Sequence, residues 1–331
     1  MIISKTPLRI SFFCGGTDIE PFYRHEKGAA LSATINKYVY VNVNRTPYNG
    51  IRMMYDETED VTNVEDLKGI ITKETLKYMS ITDKVTIASL SDVKARGSGL
   101  GSSSAFTVGL LLALKTSELQ YEELSPFQLA EDACHIEINL CKNPIGKQDQ
   151  YAASLGGFNL FEFEKDGSVQ SLTGSIDPGT IQTLQSRLLL VHSGLDREAS
   201  NILAIQAKDL EPGTEKFKSM QGSRFLAYQG KKLLEEDDVV GFGDLLGVAW
   251  EIKKQRNNTL IGRDQQLDKI YNSMTRAGAR AGKLLGAGGG GFFLFYVPEE
   301  KMADVSQKAL DIACFPYQFE FTDQGAASWT I

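Results

Sequence analysis

The sequence predicts an α+β fold in two parts, and three observations lead to that prediction. Segments in which apolar residues alternate, typical of strands, are interspersed with helical patterns along the whole chain. A glycine- and serine-rich turn at 97–104 opens an apolar helix in the first part, after a strand-like segment. A second glycine cluster at 286–291 precedes an aromatic strand late in the second part, where helices predominate. We therefore predict one domain over residues 1–175 and another over 176–331.

The first part is predicted to begin with a strand and to alternate between strands and helices. Within 31–45, Val39, Val41 and Val43 lie on one face of a strand. Ser125 before Pro126 has the form of a helix cap with proline at the first helical position, so a helix should run to about Cys141. The remaining elements in this part are a strand at 1–13, a hairpin partner of 31–45 at 51–55, a helix near 72–79, a strand at 85–90, the helix after the glycine turn, a short helix at 147–154, and a hairpin of strands 158–163 and 169–172.

The second part begins after a polar stretch at 174–179, which is the best linker candidate. Apolar periodicity then predicts several helices between an early strand and the glycine cluster. In order, these elements are a strand at 187–192, helices at 196–208, 216–236, 242–254 and 265–283, a strand at 292–297, a helix at 299–310 and an edge strand.

Composition narrows the class of protein. The 331 residues include 42% hydrophobic and 23% charged residues, as in an ordinary globular protein, and the net charge is −7. This balance argues against nucleic acid or an anionic membrane surface as the main partner. The four cysteines form no C-x-x-C pair and only three histidines are present, which argues against a zinc site. Without a signal-peptide pattern or a membrane-length apolar run, we expect a cytoplasmic location.

The turn at 97–104 has the features of an anion site. Gly97, Gly99 and Gly101 allow the backbone to curl and to approach a ligand, and the serines after them can cap the helix. Free N–H groups and the helix dipole then favour a phosphate, although a plain flexible loop is the alternative. The turn is not a Walker loop, because it does not end in Gly-Lys-Ser/Thr. The candidate phosphate-binding residues are Gly97, Ser98, Gly99, Leu100, Gly101, Ser102, Ser103 and Ser104.

Two acidic residues and one arginine are candidates for chemistry. Glu137 falls on the apolar stripe of the helix from Ser125, where a carboxylate needs a cation; with Ser103 it could hold Mg²⁺, and a salt bridge is the alternative. Asp149 could orient or deprotonate a substrate hydroxyl, or it could only cap a helix. Arg9 could stabilise a transferring phosphoryl group, or it could point to solvent.

Two glycine-rich segments complete the candidate site. In the turn after the first strand, Gly16, Thr17 and Asp18 could meet a sugar hydroxyl, and an ordinary turn capped by the aspartate is the alternative. The glycine spacing of the cluster at 286–291 matches G-x-G-x-x-G. A dinucleotide-binding motif must follow a strand and open a helix, whereas this cluster follows a helix and opens a strand, which excludes a dinucleotide site. Close packing against a ligand or the other glycine turn fits it better.

Together these motifs resemble the GHMP small-molecule kinases. The three ordered motifs of that family are similar to Pro7–Ser11 with Gly15–Asp18, to Gly97–Ala105 and to Gly286–Gly291. The residues of the first motif and of the segment 146–153 most resemble those of the D-glycero-D-manno-heptose 7-phosphate kinases and the related fucose kinases. One departure is that Val93–Arg96 lacks the proline that usually precedes the middle motif.

The resemblance implies a fold and a set of roles. The implied fold is an N-terminal α/β domain with a left-handed β-α-β unit and a ferredoxin-like C-terminal domain. ATP phosphates would lie in the middle motif and Mg²⁺ on Ser103 and Glu137, while Arg9 would face the transferred phosphoryl group. Asp149 would act as a base or orient the hydroxyl, and Asp18 would bind the sugar. Supporting residues of the substrate loop would be Gly288, Gly289 and Gly290.

The implied function is an ATP- and Mg²⁺-dependent sugar kinase. Its expected acceptor is the anomeric hydroxyl of D-glycero-D-manno-heptose 7-phosphate, giving the 1,7-bisphosphate for nucleotide-activated heptose synthesis. A fucose or hexose 1-kinase and a catalytically inactive sugar sensor are the alternatives. Arg24, Lys37 and Arg197 are candidates for binding the 7-phosphate, and the sequence does not choose among them. The expected partners are ATP and a sugar phosphate, without nucleic acid or membrane, and a homodimer stays open.

Overall fold

Two β-sheets and the helices packed on them form the part of the chain that the structure describes. The structure is a computed structural model, and it describes residues 1–94, 97–118, 125–172, 176–195, 210–256 and 265–331. The strands are β1 (Ile2–Phe13), β2 (Gly28–Arg45), β3 (Ile51–Met54), β4 (Thr58–Val61), β5 (Val85–Ser91), β6 (Phe158–Phe163), β7 (Val169–Leu172), β8 (Leu188–His192), β9 (Ala281–Leu284), β10 (Phe292–Tyr296), β11 (Phe315–Tyr317) and β12 (Ala327–Thr330). The helices are α1 (Glu20–Tyr23), α2 (Ile70–Tyr78), α3 (Ser102–Glu118), α4 (Pro126–Cys134), α5 (Gln148–Leu155), α6 (Pro178–Ser186), α7 (Glu215–Glu235), α8 (Val239–Arg256), α9 (Gln265–Ala277) and α10 (Met302–Asp311).

The first sheet contains β1 to β7 and also the last strand of the chain. Its strand order is β12-β1-β2-β5-β3-β4, and β6 pairs with β2 and β7. The long strand β2 pairs with β6 along its first half and with β5 along its second half. Since β3 and β5 run parallel, the chain between them, which contains α2, makes a β-α-β crossover. Helix α3 packs on β1 and β2, which holds its N-terminus at the end of the sheet that carries the site.

The second sheet has strand order β11-β8-β10-β9, and its strand pairs are antiparallel. Counted along the chain, this is the order fourth, first, third, second, with helices after the first and third strands. That is the ferredoxin-like arrangement. The predicted α+β fold is therefore confirmed, and the division into domains at residue 175 stays a prediction. Among the described helices, none combines the length with the apolar character that a membrane crossing requires.

Three details of the sequence-based prediction were wrong. The segment at 51–55 is not the hairpin partner of β2, because β3 pairs with β4 and β5 instead. The helix predicted over 265–283 ends at Ala277, and Gly278, at φ +120°, breaks it so that β9 can begin. The described end of the predicted linker, from Pro178, starts helix α6, with the Asp177 side chain accepting from the Gly179 N–H. The helix predicted at 196–208 lies outside the described residues.

An aromatic contact joins the two parts of the chain. Phe242 on α8 is fully buried, and its ring meets those of Phe12 and Phe13 on β1 at centroid distances of 5.2 and 5.3 Å. Helix α7 packs against β1 and β2 on the same side, and α8 packs against β9 of the second sheet. The hydrophobic core is therefore continuous from one sheet to the other.

We expect Phe242→Ala to lower the free energy of unfolding by about 3–5 kcal/mol, because a fully buried ring is replaced by a cavity between the two parts. Urea denaturation followed by circular dichroism measures this change. Phe225→Ala is the matched control, since the Phe225 side chain on α7 is 59% exposed. Equal stability of the two variants would contradict this role of Phe242.

Candidate active site

The turn at 97–104 curls as the glycines predict. Gly97, Gly99 and Gly101 have φ of +74°, +78° and +78°, the left-handed region that side chains disfavour. The turn is fixed from inside, since Leu100 is buried and its carbonyl oxygen accepts from the Arg9 N–H at 3.0 Å. Helix α3 begins at Ser102. The turn thus presents glycine backbone and the positive end of a long buried helix to the cavity beside it.

The second glycine cluster packs directly on this turn. A Cβ atom on Gly286 would lie 2.5 Å from the Gly99 Cα, and one on Gly291 would lie 2.4 Å from the Gly97 carbonyl oxygen. The Phe292 N–H donates to the Ser98 carbonyl oxygen at 3.1 Å. Only glycine permits this approach of two backbones. Gly288, Gly289 and Gly290, the predicted substrate-loop support, lie between these contacts, and their φ values are also positive.

Arg9 and Asp149 form a bidentate ion pair at the cavity. The Arg9 Nε and Nη2 atoms donate to Asp149 Oδ1 and Oδ2 at 2.8 and 2.7 Å, and Nη1 donates to the Gly99 carbonyl oxygen at 2.8 Å. Gln148 donates a further bond to Asp149 Oδ1 at 3.0 Å. A carboxylate has about four acceptor positions, so these three bonds leave Oδ2 able to accept one more hydrogen. The Asp149 side chain is 28% exposed, which lets a ligand reach that position.

Glu137 meets Ser103 at the start of α3. It lies on the π-helical turn His135–Leu140 that continues α4, and such turns are frequent at functional sites. Ser103 Oγ donates to Glu137 Oε1 at 3.1 Å and Gln150 Nε2 donates to Oε2 at 2.7 Å. Burial raises the pKa of Glu137 to about 7, although hydrogen bonds from Ser104, Gln150 and Ser103 act in the opposite direction. The carboxyl group therefore lies in a position that a nearby cation would stabilise.

The oxygen donors at this point suit Mg²⁺. Ser103 is exposed toward the cavity, and its hydroxyl together with the Glu137 carboxylate offers hard oxygen ligands only. Within the described ranges, no three His, Cys, Asp or Glu side chains gather where they could hold a metal ion. When nucleotide phosphates supply part of its coordination, Mg²⁺ needs just one or two protein oxygens, so the residues present fit it.

The turn after β1 places Asp18 and Gly16 at the cavity and keeps Thr17 away from it. Asp18 accepts from the Gln148 N–H at 3.1 Å and from Cys14 Sγ at 3.2 Å, and burial followed by the Asp149 charge raises its pKa. Gly146 makes room for it, because a Cβ there would lie 1.9 Å from Asp18 Oδ2. Thr17 is fully buried, and its hydroxyl donates to the Ala29 carbonyl oxygen at 2.8 Å. Thr17 therefore anchors the turn to β2.

These groups surround one cavity of about 420 Å³ between the first sheet and the helices α7 and α8. Among the predicted residues that line it are Arg9, Gly16, Asp18, Ser103, Glu137 and Asp149. Residues from the glycine turn at 97–104 and from the second glycine cluster close the cavity on one side. The structure thus brings the candidate phosphate, metal and hydroxyl groups to a single place, although they come from distant parts of the chain.

Sequence reasoning missed three basic residues that line the cavity. Lys253 and Arg256 on α8 and Lys283 on β9 also line the cavity. The periodicity of α8 marks Lys253 as one more polar position of a surface helix, so no sequence signal singles it out. Arg24, considered above for a substrate phosphate, forms an exposed ion pair with Glu20, and Arg197 lies outside the described residues.

Known proteins resemble this chain in sequence. Residues 68–157 match the GHMP kinases N terminal domain. The chain is 29% identical over 343 residues to D-glycero-alpha-D-manno-heptose 7-phosphate kinase of Campylobacter jejuni subsp. jejuni serotype O:2, covering 100% of this chain and 99% of that protein.

Solved structures extend the similarity to the whole fold. The crystal structure of a D-glycero-D-manno-heptose 1-phosphate kinase from Bacteriodes thetaiotaomicron matches 100% of this chain and 99% of its own, with 27% identity and a TM-score of 0.81. Mevalonate kinase of Methanococcus jannaschii matches over 97% of this chain and 98% of its own, with 20% identity and a TM-score of 0.72. At this identity the second likeness concerns the fold alone.

Proposed function

Because this chain has the fold of the GHMP kinases and carries their N-terminal domain, we propose that it is an ATP-dependent sugar kinase. The observation that carries the proposal is the meeting of three groups in one cavity. These groups are the glycine turn on the N-terminus of α3, the Ser103–Glu137 pair, and the Arg9–Asp149 pair. A binding protein for sugars alone has no use for a phosphate-binding turn and two acidic positions beside it.

The proposed division of roles follows the contacts. The turn at 97–104 binds the ATP phosphates through backbone N–H groups and the helix dipole. Asp149, held by Arg9, accepts the hydrogen of the acceptor hydroxyl and points its oxygen at the γ-phosphorus. Asp18 and Gly16 contact the rest of the sugar. Thr17, whose hydroxyl is already bonded to β2, supports this turn from behind.

The proposed reaction forms a bond from the acceptor oxygen to the γ-phosphorus and breaks the bond from that phosphorus to the β-phosphate oxygen. The hydroxyl proton leaves through Asp149 to solvent, and ADP departs. Because phosphoryl transfer passes through a loose transition state, positioning and charge stabilisation matter more than proton abstraction. Arg9 donates to Asp149 and to the Gly99 carbonyl oxygen, so it fixes acceptor and nucleotide sites relative to each other. Mg²⁺ held by Ser103 and Glu137 would neutralise phosphate charge.

For the acceptor, we propose the anomeric hydroxyl of D-glycero-D-manno-heptose 7-phosphate. Support comes from a relative named for that activity that matches the chain from end to end, and from a structural match named for a heptose 1-phosphate kinase. The two names differ in the position of the phosphate, but both describe a heptose kinase. The test is ADP release with ATP, Mg²⁺ and a panel of sugars and sugar phosphates. Faster turnover of fucose or another free hexose would favour the alternative kinase, and no turnover despite ATP binding would favour a sugar sensor.

We expect Glu137→Gln to raise the Mg²⁺ concentration needed for half-maximal activity by at least roughly tenfold, since losing even an outer partner of a metal site costs this much. The neutral amide keeps the size of the side chain and one acceptor oxygen. It removes the negative charge and one of the two positions that accept from Ser103 and Gln150. A magnesium titration at saturating ATP measures the effect. Glu131→Gln, an exposed position on the same helix, should leave the titration unchanged. An unaltered titration for Glu137→Gln would remove it from the metal site.

A further inference from the structure

The wall of the cavity that α8 and β9 form holds three basic side chains without an acidic partner among the described residues. Lys253 Nζ donates to the carbonyl oxygens of Leu284 and Gly286 at 2.8 and 2.6 Å. Lys283 Nζ donates to the carbonyl oxygens of Ser11, at 3.1 Å, and Phe12. Arg256 donates to the Gly15 carbonyl oxygen. Within the described ranges, none of these three cations forms an ion pair.

A charged side chain at these positions costs folding free energy unless an anion binds beside it. Lys253 is 6% exposed and Lys283 is 9% exposed, so both charges have lost most of their water. Burial, followed for Lys253 by the nearby charge of Lys283, lowers the pKa of Lys253 far below its usual value, and burial lowers that of Lys283 to about 7. Lys253 and Arg256 are three residues apart on α8, where like charges repel. An anion bound at this wall would therefore favour the protonated form of both lysines.

Arg256 adds an unused donor to this group. Its Nε atom is buried and has no hydrogen-bond partner among the described residues. The Gly15 turn leaves room for its guanidinium group, because a Cβ on Gly15 would lie 2.9 Å from Arg256 Nη1 and 2.2 Å from Ser223 Oγ. A guanidinium with a free N–H beside two ammonium groups is suited to phosphate oxygens. Since an unpaired buried donor is costly, a ligand that accepts from it is expected here.

The nucleotide phosphates already have a proposed place. Lys253 borders it, because Lys253 donates to Gly286, which packs on Gly99 of the glycine turn. The glycine turn and the Ser103–Glu137 pair stand on the α3 side of the cavity, and the Arg9 charge is balanced by Asp149. Arg256 and Lys283 instead contact the end of β1 and the turn that carries Asp18, the proposed sugar ligand. An anion bound to them would therefore belong to the sugar end of the cavity.

We propose that Lys253, Arg256 and Lys283 form a subsite for a phosphate group that the acceptor sugar already carries. The inference rests on the proposed sugar kinase function and specifies which sugars the site accepts. The cluster draws a phosphorylated sugar into the cavity and holds its phosphate at the α8 wall, while Asp149 holds the reacting hydroxyl. A sugar without a phosphate leaves the three cations uncompensated and is a poor acceptor.

Steady-state ADP release with heptose 7-phosphate and with the same heptose lacking its phosphate tests the subsite. We expect Arg256→Gln to raise KM for the sugar phosphate by roughly 10-fold to 100-fold, the contribution of a charge-assisted hydrogen bond. Its KM for ATP and its kcat/KM for the free heptose should stay within about twofold of the parent, within the uncertainty of such contributions. Lys232→Met is the matched control, because the Lys232 side chain is 63% exposed on α7.

Two results would overturn the subsite. The first is an equal loss on the two sugars, and the second is a raised KM for ATP with no change for the sugar phosphate. The second result would assign the cations to the nucleotide instead. Lys283→Met provides a second variant in case Arg256→Gln fails to fold, and circular dichroism checks both.

A binding measurement separates this inference from the proposed reaction. With the nucleotide site filled by a non-hydrolysable ATP analogue and Mg²⁺, inorganic phosphate should raise the melting temperature of the parent protein by mass action and should not raise that of Arg256→Gln. If phosphate stabilises only the parent but no sugar phosphate is turned over, the kinase assignment fails while the anion site stands. If phosphate stabilises neither protein or both equally, the subsite is wrong even when the kinase activity is present.

Discussion

Asp149→Asn is expected to lower kcat by at least about 100-fold while KM for ATP changes little, since the loss of a positioned group that contacts the reacting hydroxyl typically has this effect. The amide keeps the size of the side chain. Its nitrogen cannot accept either of the two hydrogen bonds from Arg9, which are 2.8 and 2.7 Å long, and the charge is lost. In the proposed reaction, the acceptor hydroxyl then lacks the free Oδ2 position that points it at phosphorus.

Initial rates at varied ATP and sugar phosphate measure this effect, and ATP affinity can be checked separately by calorimetry. The chain offers a matched control in Asp244→Asn, because Arg280 donates to the two Asp244 oxygens at 2.6 and 2.8 Å in an exposed pair away from the cavity. Breaking that bidentate pair should leave turnover unchanged. Normal turnover in Asp149→Asn would exclude Asp149 from the reaction.

The second large effect is expected from Gly286→Ala, which should lower kcat/KM for ATP by about 100-fold, the cost typical of moving a positioning group by an ångström. The new Cβ would lie 2.5 Å from the Gly99 Cα, and both partners are backbone, so one loop has to move. Since Gly99 belongs to the proposed phosphate-binding turn, the N–H groups of that turn would no longer meet the nucleotide in the same geometry.

Gly213→Ala separates crowding from backbone strain. Gly213 has φ of +91°, but a Cβ there would meet nothing within 4 Å. A left-handed alanine costs roughly 1–2 kcal/mol of stability at either site, so both variants should melt earlier. Only Gly286→Ala should weaken ATP binding, as measured by equilibrium titration. If both variants bind ATP equally well, the packing of the two glycine segments is not needed for the nucleotide site.

The sequence alone was enough to predict the features that depend on local physics. The glycine turn, the apolar helix from Ser102 and the paired strands at 158–172 appear where the pattern placed them, because left-handed backbone, helix capping and hairpin turns are set by a few neighbouring residues. The helix from Pro126 also follows its cap and proline, although its π-helical end at Glu137 carried no pattern. The candidate residues Arg9, Glu137 and Asp149 were chosen in the same way, from their local setting and a family resemblance.

Only the tertiary structure decided which of these residues meet, because contacts between segments far apart in the chain depend on how the sheets and helices pack. It paired Arg9 with Asp149, gave β3 a different partner from the expected one, and divided the helix predicted over 265–283 so that Lys283 lies on a strand. Packing of α8 and β9 against the end of β1 then gathered cations that look like ordinary polar positions in the sequence. A buried charge without an acidic partner becomes visible only when its surroundings are known, and this is why the structure, and not the sequence, identifies the proposed phosphate subsite.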